Sequence, residues 1–341
     1  VIPGLIDCHV HLTGGGGEAG PASRVPPVAL SRFTRGGTTS VVGVLGTDDW
    51  IRTTASLVAA ARALRAEGMS AWCLTGGYHL PPTTLTGSVR DDILHVDPIL
   101  GVGELAISDH RSSQPTLEEL LRVAADARVA GLLASKPGLV QLHLGGGSRR
   151  LDLVWKALND SELPARTFHP THVNRSAALF EDACELAHQG GIIDVTAFPP
   201  PDADDDTDEL SAVDAIRQYL DDPKLPADGL TVSSDGGGSL PCFDAEGRVE
   251  RMGIGEPGAL GATLGGLLEA GVAPEQALPP FTSNVARLYG LTAKGRIREG
   301  GDADLVVLAD DGRHLQDVMA RGRWHVRGGE VVVRGTFEED D

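Results

Sequence analysis

Short apolar runs alternate with longer amphipathic stretches along most of this 341-residue chain, and that rhythm constrains the fold more than any other feature. Strand-like runs cover residues 3–12, 38–45, 70–75, 97–107, 138–142, 165–168, 192–198 and 230–234. Between them, residues 49–67, 116–129, 151–159 and 176–189 carry the apolar spacing of helices. Gly68 and Gly190-Gly191 supply stops, and Thr116 with Glu119 forms a capping box. Eight strand-like runs, mostly separated by helical ones, predict an α/β fold of the (β/α)8 TIM-type barrel class. In such a barrel, residues just past the strand C-termini form the active site.

From Gly295 the character changes. Residues 295–297, 300–308 and 318–333 read as short strands joined by turns, with a Gly328-Gly329 hairpin between Trp324-His325-Val326 and Glu330-Val331-Val332-Val333. They predict a small β-sandwich unit appended to the barrel. We divide the chain into a barrel over 1–290 and the C-terminal part of the small β domain over 291–341. So few residues of strand do not easily form a stable unit alone, so an upstream segment, absent from this sequence, is expected to complete it.

Composition removes several classes of function. A formal net charge of −19 lacks the basic footprint of a nucleic-acid binder. No run of about 18 apolar residues exists for a membrane span. No basic segment leads an apolar run at the start, so no signal peptide is read, although the chain opens on Val1 rather than Met. Cys8, Cys73, Cys184 and Cys242 are scattered without a C-x-x-C pair, which suits free thiols in a reducing cytoplasm. The acidic stretches at 202–209 and 338–341 read as solvated surface.

The chemistry begins in the first run, Pro3-Gly4-Leu5-Ile6-Asp7-Cys8-His9-Val10-His11-Leu12. Side chains alternate along a strand, so His9 and His11 share a face and make half of a metal site. Alone, the pair also fits one core and one surface histidine. Glu104, His143, His172 and Asp235 stand at or near the ends of later runs, where a second half would be built. The loop Gly14-Gly15-Gly16-Gly17 before Glu18 can bring backbone N–H groups against a ligand, or serve only as a linker.

These pieces resemble the amidohydrolase superfamily of metal-dependent hydrolases and, within it, the isoaspartyl (β-aspartyl) dipeptidases. The resemblance rests on Pro-Gly-Leu-Ile-Asp-x-His-x-His, on Leu45-Gly46-Thr47-Asp48, on Gly77-Tyr78-His79 and on Ala106-Ile107-Ser108-Asp109-His110-Arg111. It continues through His143-Leu144-Gly145, Thr171-His172-Val173-Asn174-Arg175, Ser234-Asp235-Gly236-Gly237 and the terminal Gly300-Gly301-Asp302-Ala303-Asp304-Leu305-Val306-Val307 pattern.

The resemblance implies a homo-oligomeric enzyme, an octamer in the family, that cleaves the isopeptide bond of β-aspartyl dipeptides with two Zn²⁺ per chain. His9, His11 and Asp235 would hold one ion, His143 and His172 the other, with a carboxylate and a hydroxide as bridges. Asp235 would act as general base and acid, and Tyr78 would stabilise the oxyanion. Glu18 would pair with the substrate ammonium. Arg111, Arg175 and Ser239 would hold carboxylates, helped by Thr47 and the backbone of Gly16 and Gly17. His79, His110 and His169 are read as supporting residues. One departure stands out: the family usually bridges its metals with a carboxylated lysine, whereas this chain has Glu104, and the nearest lysine, Lys136, lies in another segment. We read Glu104 as a built-in replacement; a laboratory substitution or a weakened site are the alternatives. Competing functions are another amidohydrolase, an N-acyl-amino-acid deacylase or dihydroorotase-like enzyme, and a non-catalytic scaffold with the same fold.

Overall fold

The computed structural model describes residues 1–198, 208–244, 246–309, 311–312 and 314–339. Most of the acidic stretch at 202–209 lies outside the described residues, as do Asp340 and Asp341. Six strands form a curled parallel sheet in chain order: β2 (Leu5–Val10), β3 (Thr38–Gly43), β4 (Ser70–Thr75), β5 (Ile99–Ile107), β6 (Val140–Leu144) and β7 (Phe168–Thr171). Two more, β8 (Ile193–Thr196) and β9 (Leu230–Ser233), pair in parallel. A parallel bridge between Val10 and Gly236 brings the chain just past β9 back to the first strand of the sheet. All eight parallel strands are buried along their whole length apart from one half-buried residue, Trp72. Parallel strands covered on both faces read as continuous apolar runs, which is why the sequence pattern located them.

Helices cover the sheet. α1 (Leu30–Arg35), α2 (Thr54–Ala66), α3 (Val89–His95), α4 (Leu117–Ala134), α5 (Asp152–Asn159), α6 (Ala177–His188) and α7 (Ala212–Asp221) fill the crossovers, and α8 (Ala259–Glu269), α9 (Pro274–Ala277) and α10 (Ser283–Leu288) follow β9. The capping box at Thr116 and Glu119 is present. α4 runs on to Ala134, past the predicted end at 129, and stops at Ser135 in the left-handed region (φ 55°). α2 begins later than predicted: the start is a second capping box, Thr53 with Ser56. Apolar faces of these helices meet the outer face of the sheet in one core containing Leu30, Phe33, Leu57, Phe180, Tyr219 and Leu264.

The small unit is one antiparallel sheet in the order β1 (Ile2–Pro3), β12 (Leu305–Leu308), β13 (Leu315–Ala320), β14 (Arg323–Arg327) and β15 (Glu330–Val331). Ile2 and Pro3 pair with Val306 and Leu305, so the first residues of the chain belong to this sheet. The predicted hairpin turn is there, with Gly328 and Gly329 both at positive φ between Arg327 and Glu330. Residues 295–297, predicted as strand, form a bend outside any strand instead. Glu338 is not merely solvated: it accepts from the Ser31 hydroxyl and from the Gly335 amide, tying the tail to α1.

A hairpin absent from the sequence reading, β10 (Ser239–Phe243) with β11 (Val249–Ile254), rises beyond β9. It sits at the C-terminal end of the parallel strands and carries Ser239 and Phe243 to that face.

Candidate active site

His9 lies within β2 and His11 one residue past it, both pointing to the C-terminal end of the sheet. Glu104 sits within β5, three residues before the strand ends, and its carboxylate is the hub. Its Oε1 is 3.4 Å from His11 Nε2, while its Oε2 is 3.4 Å from His9 Nε2, 3.1 Å from His143 Nδ1 and 3.6 Å from His172 Nε2. Asp235 closes the other side, its Oδ1 3.1 Å from His11 Nε2 and 3.6 Å from His9 Nε2. Thus one buried carboxylate touches all four predicted imidazoles, and two groups, His9-His11-Asp235 and His9-Glu104-His172, have ligand atoms close enough for a metal ion. Gly46 makes the approach possible, since a Cβ there would lie 2.7 Å from His11 Cε1.

The centre is short of positive charge. His9 Nε2, Glu104 Oε1 and Asp235 Oδ1 are buried without a hydrogen-bond partner. Burial alone would depress His11, yet Asp235 and Glu104 raise it to about 10. Burial also works against ionisation of Asp235, but its bond to His11 and the neighbouring His172 and His9 hold it down at about 2. Glu104 is likewise held well below the usual carboxylate range, against burial, by His9 and His143. Ionised carboxylates among imidazoles, with orphaned lone pairs facing one another, are the donor set a divalent cation satisfies. The residues fit a divalent metal centre.

Surrounding residues fix these donors. Gln141 donates through Nε2 to the Cys8 carbonyl (3.1 Å) and touches the Tyr289 hydroxyl (3.0 Å), so its Oε1 faces His9 Nδ1 at 2.9 Å. His9 therefore carries its proton on Nδ1 and leaves the Nε2 lone pair to the centre. His172 Nδ1 meets the Thr196 hydroxyl at 2.8 Å in the same way. Asp7 accepts from the Ser234 amide and hydroxyl, joining β2 to the turn that carries Asp235. Burial, opposed by those bonds, raises Asp7 to about 7. One layer below, Asp194 accepts from Cys8, Thr171, Thr231 and Ser233, the neighbours of His9, His172 and Asp235. Sequence reasoning gave no role to Gln141, Thr196, Asp7 or Asp194; the one available signal was Asp7, inside the Pro-Gly-Leu-Ile-Asp motif.

Tyr78 reaches the centre with its hydroxyl 2.8 Å from His143 Nδ1. Burial keeps that phenol protonated well above its ordinary range. Glu18 lies at the mouth, its side chain 5% exposed. Its Oε1 accepts from Thr47 (3.0 Å) and Ser239 (2.9 Å) and lies 3.4 Å from Arg111 Nη1, while its Oε2 is buried with no partner. Thr47 and Ser239, predicted to touch substrate, here hold Glu18. Arg111, predicted to present its fork to a carboxylate, has Nε and Nη2 engaged by Asp109 at 3.0 and 2.7 Å. Asp109 also meets His143 Nε2 at 3.0 Å. Arg175 stacks 4.9 Å over Phe198, and its Nε is buried and unpartnered. Gly16 and Gly17 are at φ 82° and 113°; Gly16 is bridged to Arg24. The three supporting histidines separate: His79 bonds Asp49 (2.9 Å), His169 meets the Thr231 hydroxyl (2.9 Å), and His110 is exposed against Phe243. Lys136 donates to the Ile93 and Val96 carbonyls at the opposite end of the strands, so it is no bridge.

Comparison with solved structures decides the family. The crystal structure of a β-aspartyl dipeptidase from Fervidobacterium islandicum AW-1, in complex with β-Asp-Leu dipeptide, is 42% identical, covers 97% of this chain and 86% of its own, and superposes with a TM-score of 0.91. The chain belongs to the β-aspartyl dipeptidases. A second structure of the Fervidobacterium protein agrees at 40% identity and TM-score 0.87, over 97% of this chain and 84% of its own. This family is a branch of the amidohydrolase superfamily, and its members are hydrolases. A dihydroorotase of Halobacterium salinarum is 26% identical over 98% of this chain and 85% of its own length. A dihydropyrimidinase from Brevibacillus agri, 17% identical with a TM-score of 0.64 over 98% of this chain and 86% of its own, shares the fold. No protein-family profile matches the chain. Among the described residues, no helix is long and apolar enough to cross a membrane.

Proposed function

We propose that this enzyme hydrolyses the isopeptide bond of β-aspartyl dipeptides, with its eight parallel strands acting as a (β/α)8 barrel around two Zn²⁺. His9, His11 and Asp235 would hold one ion and His143 and His172 the other, with Glu104, unmodified, as the shared carboxylate in place of a carboxylated lysine. When bound, such a pair supplies a hydroxide near neutral pH and polarises the scissile carbonyl. The remaining work belongs to the side chains. Asp235 takes the proton of the attacking water on a carboxylate oxygen and passes it to the leaving amine. Tyr78, kept protonated by burial, donates from its hydroxyl to the developing oxyanion. Glu18 receives the substrate ammonium on Oε2, while Arg175 and Arg111 Nη1 face its carboxylates, with the backbone of Gly16 and Gly17 beside them.

The observation that carries this reading is Glu18: a buried carboxylate with one oxygen cradled by Thr47, Ser239 and Arg111 and the other unpaired. A buried carboxylate oxygen without a donor at a cleft mouth calls for a donating ligand group, and an ammonium supplies one. Neither an N-acyl amino acid nor dihydroorotate offers a free ammonium, so the deacylase and dihydroorotase readings leave Glu18 unexplained. The free thiols of Cys8 and Cys73 suit a cytoplasmic setting. The test is a substrate panel with added Zn²⁺: β-Asp-Leu should be cleaved, whereas α-Asp-Leu and N-acetyl-leucine should not. Preference for N-acetyl-leucine would replace this reading with the deacylase one.

A further inference from the structure

A second cleft opens at the other end of the strands. It has a volume of about 420 Å³ and is lined by the residues that lead into β6, β7, β8 and β9, together with α4 and α10. The strands separate it from Glu104 by on the order of 15 Å, four to five residues of strand at about 3.3 Å each. Its charge is opposite in sign to that of the chain as a whole. The chain carries a formal charge of −19, yet Arg128, Arg166 and Arg287 line this cleft against a single carboxylate, Asp228. Arg287 is already committed to Asp228, through an ion pair of 2.5 Å and a bond to its carbonyl of 3.1 Å. The side chains of Arg128, half-buried on α4, and Arg166, exposed in the turn before β7, have no ion-pair or hydrogen-bond partner among the described residues. Beside Arg166, Thr167 lines the same cleft at 4% exposure, and its Oγ1 is buried without a hydrogen-bond partner.

An unmatched buried hydroxyl costs free energy unless something satisfies it, and two unpaired guanidinium groups beside it specify what that something is. Guanidinium forks match planar or tetrahedral oxyanions, and a hydroxyl donates to the same oxygen atoms. We infer that this cleft is a second ligand site, taking a small dianion whose oxyanion groups lie on Arg128, Arg166 and Thr167. A phosphate monoester and a dicarboxylate share that chemistry. The inference is independent of the dipeptidase reaction, because none of these residues approaches the metal-binding centre.

Inorganic phosphate and succinate are the probes, titrated into the intact enzyme while its thermal midpoint is followed, with sodium chloride at matched ionic strength as reference. Both anions should raise the midpoint saturably and beyond chloride. Phosphate binding more tightly than succinate identifies a phosphate ester as the natural ligand class, and the reverse order identifies a dicarboxylate. The double variant Arg128→Gln/Arg166→Gln should raise the half-saturating concentration about tenfold or more, as expected for losing charge-assisted bonds. Thr167→Val should weaken binding by a smaller factor, and both variants should keep the parent kcat/KM for β-Asp-Leu. Arg166→Gln alone, at an exposed position, serves if the double variant folds poorly. Midpoint shifts no larger than those of chloride, or unchanged in the arginine variants, would overturn the inference.

Discussion

Replacing Glu18 by glutamine isolates the feature on which the proposed substrate choice turns. The amide keeps the shape and leaves an oxygen for Thr47 and Ser239, now 3.0 and 2.9 Å from Oε1, but it removes the charge. Arg111 keeps its two bonds to Asp109, so the free enzyme should fold normally. What is lost is the counter-charge for the substrate ammonium. Truncating one member of a desolvated charge pair costs about 2–5 kcal/mol. At about 1.36 kcal/mol per tenfold, that corresponds to a fall in kcat/KM of roughly 30- to 5,000-fold. Since the pocket opens at the mouth, a loss on the order of 10² is expected, toward the screened end of that range. The assay compares β-Asp-Leu with succinyl-leucine, which has the same isopeptide skeleton without the ammonium. Succinyl-leucine cleavage should change by less than about threefold, under 1 kcal/mol, and bound metal should be unchanged. If β-Asp-Leu hydrolysis also stayed within about threefold of the parent, Glu18 would not be the ammonium site and the argument from its unpaired oxygen would fail.

Two further substitutions probe the centre itself. Tyr78→Phe should lower kcat on the order of 10²–10³-fold with little change in KM, because the proposed mechanism uses its hydroxyl at the oxyanion rather than in ground-state binding; a change confined to KM in steady-state kinetics would contradict that role. Gln141→Leu should weaken metal binding about 10–100-fold in a chelator competition, since His9 then loses the acceptor that fixes its Nδ1 proton; undiminished affinity would mean that packing alone orients the ring.

The parallel strands were legible because buried strands leave continuous apolar runs, and β4 matches its predicted span, 70–75. The residues gathered around Glu104 were legible for the same reason: each lies in or near the end of such a run. Helix limits were less so. α7 was missed although Ala212, Ala215, Ile216 and Tyr219 are buried at helical spacing, because the adjacent acidic stretch dominates the local composition. α4 outran its prediction where exposed Leu132 and Leu133 break its amphipathic pattern. The hairpin β10–β11 is half-exposed and follows a glycine-rich turn, so it gives neither a buried-strand nor a helix signal. At the site, residue identity was readable but partnership was not. That Asp109 takes the Arg111 fork, or that Thr47 and Ser239 serve Glu18, depends on loops from four different strands meeting in space. Gln141 shows the same limit, since nothing local in residues 138–142 marks it as the residue that orients His9 across the sheet.

The most direct test of the whole account is a metal titration of the chelator-treated enzyme, with β-Asp-Leu hydrolysis as readout and bicarbonate excluded. A Glu104-bridged pair predicts activity that rises to a plateau at two equivalents of Zn²⁺ per chain, with no gain on adding bicarbonate, because the bridge needs no carboxylation. A plateau at one equivalent, or activity that returns only with bicarbonate, would contradict it.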